Sequence, residues 1–138
     1  MVLAREHHRA QGLLAASLDS FARYQRDNAW TWEHLALTRA RPIFGSPEAR
    51  QATGRVIQEA LTRTRDTDVL VRDAVKMRRD IATHKPPTGP LDIKLAPGGL
   101  VDLEFVVQVR QLMHREGFDP DLGRALALLI DAGHLEAD

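Results

Sequence analysis

The stretch DIKLAPGGLVDLEF, residues 92–105, is the most informative part of the chain. A charged segment with an extended pattern comes first, a Pro-Gly-Gly turn interrupts it, and an apolar run typical of a helix follows. Two adjacent glycines directly ahead of a helix leave its first backbone N–H groups uncovered by side chains, which suits either a bound anion or a closely packed backbone. Asp102 and Glu104 follow in the first turns, where carboxylates stabilise the positive end of the helix dipole. The stretch therefore predicts a turn and then a helix that begins at about Gly99.

Helix signals also dominate the segments on either side. Ala, Leu, Arg, Glu and Gln are abundant, whereas the alternating Val, Ile and Thr patterns of strands are almost absent. Start signals such as Ser-Pro-Glu and stop signals such as Pro and Gly divide the chain into five predicted helices. The first four cover about residues 17–40, 46–64, 66–85 and 99–116, and the fifth begins at about residue 119.

The predicted fold class is all-α, a helical bundle of about five helices with a short extended segment at residues 91–96. A chain of 138 residues is long enough for one domain with a buried core. We assign the bundle domain to residues 17–138 and expect residues 1–16 to form a frayed N-terminal lead.

The predicted helix of residues 17–40 contains both tryptophans and is apolar on more than one side. Such a helix belongs in the middle of a bundle, so both indoles are predicted to be core, with each indole N–H in need of a partner. The charged residues around them are expected to form partly buried ion pairs, with the two acids of the Gly-Gly helix as candidate partners, because a buried charge must be paired. The predicted structural core of this region is Trp30, Trp32, Glu33, Arg39 and Arg41.

Composition argues against several classes of protein. Nineteen basic and nineteen acidic residues cancel, so no net field attracts nucleic acid or a membrane surface. The absence of cysteine excludes disulfides and thiolate metal sites. No run approaches the ~20 apolar residues that span a bilayer, and the N-terminus lacks the apolar core of a signal peptide. The chain is therefore predicted to be a soluble, cytoplasmic protein.

The two acids of the helix that follows the Gly-Gly turn, Asp102 and Glu104, are the remaining candidates for a chemical role. On a strand Asp102 and Glu104 would share a face, but on a helix they point about 200° apart, so they do not form a metal-binding pair. The histidines have no metal-ligand spacing either, and no metal site is predicted. Glu104 and Gln108 do share a face at i, i+4. This stripe is either an ordinary solvated or interhelical polar face, or a surface that lies against a catalytic domain or a bound nucleotide.

Two blocks of sequence resemble one family. Lys94, the two glycines, Asp102, Glu104 and Gln108 are similar to a K…GG-x-x-D-x-E-F-x-x-Q signature of glutamine-synthetase adenylyltransferases. The segment FARYQRDNAWTWEHLALTRAR, residues 21–41, resembles a helix of the same family, and both blocks have the family's order and rough spacing. The segment AWTWEH, residues 29–34, resembles the C-terminal, adenylylating half of that two-headed enzyme more than its deadenylylating half.

The resemblance implies a helical region that follows the adenylylating nucleotidyltransferase domain of a longer enzyme. It implies that the parent regulates nitrogen assimilation by transferring AMP from ATP to a tyrosine of glutamine synthetase, with Mg²⁺ and under control of the PII signalling protein. The metal-binding aspartates of that chemistry would lie in the upstream domain. The chain is thus expected to be an excised fragment that holds no catalytic residue and no cofactor and is inactive alone. Its implied partners are glutamine synthetase, PII and the parent's own nucleotidyltransferase domain.

The resemblance also marks candidate residues for contact with nucleotide or with the catalytic domain. They are Lys94, Gly98, Gly99, Asp102, Glu104 and Gln108. Two alternatives remain open: a pure interaction module that docks PII or glutamine synthetase, and the helical domain of a PII uridylyltransferase. The second is disfavoured by residues 30–34, because that related family has a similar Gly-Gly segment without the tryptophan helix.

Overall fold

The computed structural model describes residues 16–89 and 91–136, and this part of the chain contains six α-helices and no strand. The helices are α1 (Leu18–Asp27), α2 (Thr31–Leu37), α3 (Pro47–Thr62), α4 (Thr67–His84), α5 (Leu100–His114) and α6 (Leu122–Asp131). The all-α prediction is confirmed. The expected frayed lead falls almost entirely on residues 1–15, which lie outside the described residues.

The sequence correctly places the starts of α3 and α4, whereas α6 begins at Leu122 and not at about residue 119. Each of these three helices has a side chain that caps its N-terminus. Ser46 accepts from the N–H of Ala49 at 3.2 Å, and Asp121 accepts from the N–H of Arg124 at 2.9 Å. Asp66 accepts from two backbone N–H groups at the start of α4. Such caps stabilise the free donors of a first turn, which is why they can be read locally.

The predicted continuous helix of residues 17–40 is wrong, since the chain breaks between α1 and α2. Asn28 closes α1 with its N–H on the Tyr24 carbonyl at 2.9 Å, and Trp30 has an extended backbone with φ −89° and ψ 163°. The Glu33 carboxylate then accepts from the Trp30 N–H at 2.9 Å, as a glutamate in the first turn does in a capping box. This short polar contact replaces the helical hydrogen bonds that would have continued α1.

The expected extended piece at residues 91–96 is also wrong, because this segment is a series of turns. The Asp92 carboxylate accepts from the N–H groups of Lys94 and Leu95 at 3.1 and 3.0 Å, and from that of Thr88 at 3.1 Å. An aspartate that bonds the backbone two or three residues later favours a turn over a strand.

The main core surrounds α2, which packs against α3, α4 and α5. Leu35 and Leu37 of α2 are buried together with Leu61 of α3, Leu70 of α4 and Leu112 of α5. A second, smaller cluster lies between α5 and α6. The central position expected for the tryptophan-containing segment is therefore confirmed for α2.

The tryptophans themselves are not core, and that prediction is wrong. Trp30 and Trp32 are 50% and 52% exposed, while the buried positions of this segment are His34, Leu35, Leu37 and Thr38. Because the chain breaks before α2, this segment is a separate helix of seven residues. It buries one stripe of side chains, and Trp32 lies outside that stripe. Of the charged residues predicted to be core, Arg39 and Arg41 are exposed and only Glu33 is half-buried.

Candidate functional site: the Gly-Gly junction

The turn between α4 and α5 folds back onto the first turn of α5, and we call residues 91–104 the Gly-Gly junction. The N–H of Leu100 donates to the Ile93 carbonyl at 2.9 Å, and that of Val101 donates to the Lys94 carbonyl at 3.1 Å. These are the first donors of α5, so the start of the helix is occupied by carbonyls of the chain itself. Of the two options that the glycines left open, a closely packed backbone is confirmed.

The two glycines are needed for different reasons. Gly98 has φ +78°, in the left-handed region that residues with a Cβ rarely adopt. Gly99 has an ordinary φ, but a Cβ there would lie 2.7 Å from the Ile93 carbonyl oxygen and 2.8 Å from that of Ala96. The junction therefore needs backbone freedom at the first glycine and empty space at the second.

Asp102 links three parts of the junction. One carboxylate oxygen accepts from the Gly98 N–H at 2.7 Å, and the other accepts from the Arg78 guanidinium of α4. Arg78 also donates to the Leu95 carbonyl at 3.1 Å. The hydrogen bond from Arg78 and then that from Gly98 hold the pKa of Asp102 below its usual value. One ion pair thus links α4, the turn and the start of α5.

Sequence reasoning missed Arg78 as the partner of Asp102. The partners that the sequence predicts for the two acids are the charged residues of the tryptophan segment, whereas the partner of Asp102 comes from α4. Nothing local marks Arg78, since it lies in an arginine-rich part of α4. Only the packing of α4 against α5 selects it.

The second acid of the junction is paired as expected. The Arg39 guanidinium, just after α2, donates to Glu104 across 2.8 Å, which confirms an ion pair between these two regions. Gln108, one turn later, is buried at 8% exposure. Among the candidate residues on this face, Glu104 lies at the edge of the bundle and Gln108 lies inside it. Gln108 can act on a partner only through its neighbours.

The outer face of the junction is apolar. Its exposed hydrophobic side chains, which we call the junction patch, are Leu91 (89% exposed), Ile93 (83%), Leu100 (46%) and Leu103 (39%). Leu100 and Leu103 share a face of α5 at i, i+3, and Leu100 is bonded through its backbone to Ile93. Apolar side chains grouped on a surface are typical of an interaction site. The exposed Lys94 side chain belongs to the same turn.

The junction acids do not fit a divalent metal ion. Asp102 is committed to Arg78 and the Gly98 N–H, and Glu104 is committed to Arg39. In the described part of the chain, no group of three or more His, Cys, Asp or Glu residues is arranged to hold a metal. None of the described helices is both long and apolar enough to cross a membrane.

Comparison with protein-family models finds two matches on different parts of the chain. The model for glutamate-ammonia ligase adenylyltransferase matches residues 8–56, which include α1 and α2. The model for GlnD PII-uridylyltransferase matches residues 72–138, which include the Gly-Gly junction.

Curated relatives cover most of the chain at about half identity. A protein of Bradyrhizobium sp. (strain ORS 278) is 52% identical over 103 residues, or 75% of this chain and 10% of the relative. One of Rhodopseudomonas palustris (strain BisB5) is 48% identical over 120 residues, or 87% of this chain and 12% of the relative. Both are named bifunctional glutamine synthetase adenylyltransferase/adenylyl-removing enzyme. The chain spans about a tenth of their length.

The two model matches are compatible with one family. The Rhodopseudomonas relative covers 87% of the chain, so it includes most of the segment that the uridylyltransferase model matches. A relative named as an adenylyltransferase thus covers the segments matched by both models. Of the two models, only the adenylyltransferase model matches the tryptophan segment. The resemblance of the two sequence blocks is confirmed, and the chain belongs to the glutamate-ammonia ligase adenylyltransferase family.

Proposed function

We propose that the chain is the helical region of a bifunctional glutamine synthetase adenylyltransferase, in which it supports the nucleotidyltransferase domain and does not itself transfer AMP. The observation that carries this proposal is the Gly-Gly junction, which is hydrogen-bonded within the chain on its inside and apolar on its outside. The first backbone donors of α5 and the carboxylates of Asp102 and Glu104 are bonded within the chain itself. The junction patch is left to be covered by another domain.

Rigidity at this edge has a mechanistic purpose. Transfer of AMP from ATP to a tyrosine of glutamine synthetase requires the reacting groups to be held in line, and small displacements lower such rates strongly. A docking edge fixed by Arg78, Asp102 and Gly98 holds a neighbouring domain in one position. ATP and Mg²⁺ belong, in this proposal, to the nucleotidyltransferase domain of the parent enzyme.

The proposed setting follows the family. Glutamine synthetase is the substrate and PII the regulator of the parent, whose task is the control of nitrogen assimilation. A cytoplasmic location belongs to the same proposal, since the chain contains no cysteine and the reaction consumes ATP. The fragment alone is expected to be inactive.

Ile93→Asp in the parent enzyme tests the proposal. A charge at this exposed position would have to be buried on docking, so we expect AMP transfer to glutamine synthetase to fall about tenfold or more. Ile43→Asp is a matched control, because Ile43 is 81% exposed and Ile93 is 83% exposed and only Ile93 lies in the patch. Both variants should keep the circular dichroism and Tm of the wild type.

Two results would redirect the assignment. If Ile93→Asp transfers AMP at the wild-type rate, the junction does not support catalysis. If it keeps the rate with glutamine synthetase but loses its response to PII, the chain is a docking module for the regulator. The match of residues 72–138 to the uridylyltransferase model motivates a third assay, with PII and UTP, in which labelled PII would favour that related activity.

A further inference from the structure

A long apolar groove lies between α4 and α5, with its floor on the main core at Ala74. Its volume is about 690 Å³. Its side walls are formed by Val71 and Val75 of α4 and by Val106 of α5, which are 40%, 43% and 48% exposed. Ala74 and Phe105 also line it. In the described part of the bundle the three valines remain 40–48% exposed, although they lie on neighbouring turns of two packed helices.

The groove has the dimensions of a helix-binding site. The lining residues of α5 extend from Asp102 to Met113, which at 1.5 Å per residue is about 17 Å. An amphipathic helix of about three turns has that length and packs its apolar stripe into such a groove through residues at i, i+3, i+4 and i+7.

The charges along the groove are mostly positive. Arg78, Arg79 and Arg110 line it, and Asp102 is its one lining acid in the described part of the chain. Arg78 and Asp102 neutralise each other at one end. Arg79 and Arg110 have no carboxylate partner among the described residues. The occupant therefore needs acidic residues beside its apolar stripe.

A second copy of the chain does not meet this requirement. Two grooves face to face would bring Arg79 and Arg110 of each copy toward the same arginines of the other, and like charges oppose such pairing. Helix α6 of a second copy cannot enter the groove either. Leu128 is its one exposed large apolar side chain among the described residues, and a single side chain does not form a stripe.

The groove also differs from a surface that is permanently covered. Permanent interfaces are more apolar, whereas reversible ones combine an apolar centre with a polar rim, and arginine is enriched in interfaces relative to the rest of the surface. Two unpaired arginines beside half-exposed valines fit the reversible class. We propose that the α4–α5 groove binds an acidic amphipathic helix presented by a partner protein. This inference goes beyond the proposed function. The groove meets the Gly-Gly junction at Arg78 and Asp102, and the test therefore changes only groove residues outside that pair.

Two designed peptides test the charge requirement on the 138-residue chain. Both have about 14 residues and the same Leu and Ile stripe, flanked by Glu in one peptide and by Lys in the other. Fluorescence anisotropy should show binding of the acidic peptide, weakened by added salt, and at least tenfold weaker binding of the basic one.

Variants of the chain test the location. Arg79→Glu with Arg110→Glu should reverse the preference, so that the basic peptide binds more tightly. Arg50→Glu with Arg55→Glu changes the same charge on the exposed face of α3 and should leave binding unchanged. Val75→Asp, checked for wild-type helicity by circular dichroism, should weaken binding of the acidic peptide about tenfold.

The other outcomes overturn the proposal. Equal binding of both peptides would contradict the charge requirement. Equal effects of the α3 and groove variants would contradict the proposed location. A dimer in sedimentation that Val75→Asp abolishes assigns the groove to a second copy. A longer enzyme containing the chain that does not bind the acidic peptide, while the 138-residue chain does, assigns the groove to an internal helix.

Discussion

Gly99 determines the backbone arrangement of the Gly-Gly junction. Its missing Cβ leaves room for three backbone carbonyls of the preceding turn, and two of them, those of Ile93 and Lys94, accept from the first donors of α5. Gly98 contributes its backbone conformation and donates its N–H to Asp102. The hydrogen bonds of the junction therefore depend on the absence of two side chains.

Gly99→Ala should destabilise the chain. Replacing glycine by alanine normally stabilises by about 0.4–1 kcal/mol through the unfolded state. Here the Cβ would overlap two carbonyl oxygens, and overpacking of this kind costs about 1–3 kcal/mol. Urea unfolding measures the difference. Gly54→Ala, inside α3 and with open space around its Cβ, is the matched control and should stabilise.

The same variant tests function in the parent enzyme. We expect Gly99→Ala to lower AMP transfer to glutamine synthetase by more than its loss of stability explains, because a displaced turn moves the junction patch. A wild-type rate in a folded Gly99→Ala enzyme would mean that the junction is only a helix start.

At the scale of elements, α2 is central although it is short. It packs against α3, α4 and α5 through His34, Leu35, Leu37 and Thr38, and its tryptophan points away from that face. The stability contributed by α2 therefore resides in its leucines.

Trp32→Ala should have a small effect for so large a side chain. Because Trp32 is 52% exposed, its truncation is expected to cost about 1–2 kcal/mol, whereas Leu35→Ala, which removes a buried side chain, should cost about 2–5 kcal/mol. Thermal unfolding of the two variants compares them directly. A Trp32→Ala loss larger than that of Leu35→Ala would contradict the exposed position of the indole.

At the scale of the whole molecule, the buried His34 makes stability depend on pH. Its ring Nε2 lies 3.1 Å from the Gln25 carbonyl and donates to it as neutral imidazole. Burial lowers the pKa of His34 in the folded state below its usual value of 6.5, with Arg65 and Arg63 acting in the same direction. The unfolded chain therefore takes up this proton at higher pH than the folded chain does.

His34 therefore contributes more to the free energy of unfolding at high pH than at low pH. The contribution of His34 is complete above about pH 6.5 and is lost as pH falls through the lower pKa of the folded state. His34→Gln should reduce the slope of unfolding free energy between about pH 5 and pH 7, measured with urea. A remaining slope of the same sign is expected from His114, whose pKa is lowered by burial and then by His134.

The sequence by itself determined the features that act within a turn or two of chain. Ser46 and Asp66 place helix starts, and Gly98 and Gly99 mark a tight junction, with a positive φ at Gly98 and no room for a Cβ at Gly99. Such signals are local because a cap or a left-handed residue acts on its own backbone. The family was readable for a similar reason, since its two blocks are continuous in sequence.

Only the tertiary structure decided which side chains are covered and which charges meet. Trp30 and Trp32 look like core residues in sequence but are half exposed, and Asp102 pairs with Arg78 from another helix. Burial and ion pairing depend on which helix faces are brought together, and α2 can turn its leucines inward only because the chain breaks before it. The free energy of those choices comes from packing between distant segments, which no single stretch of sequence contains.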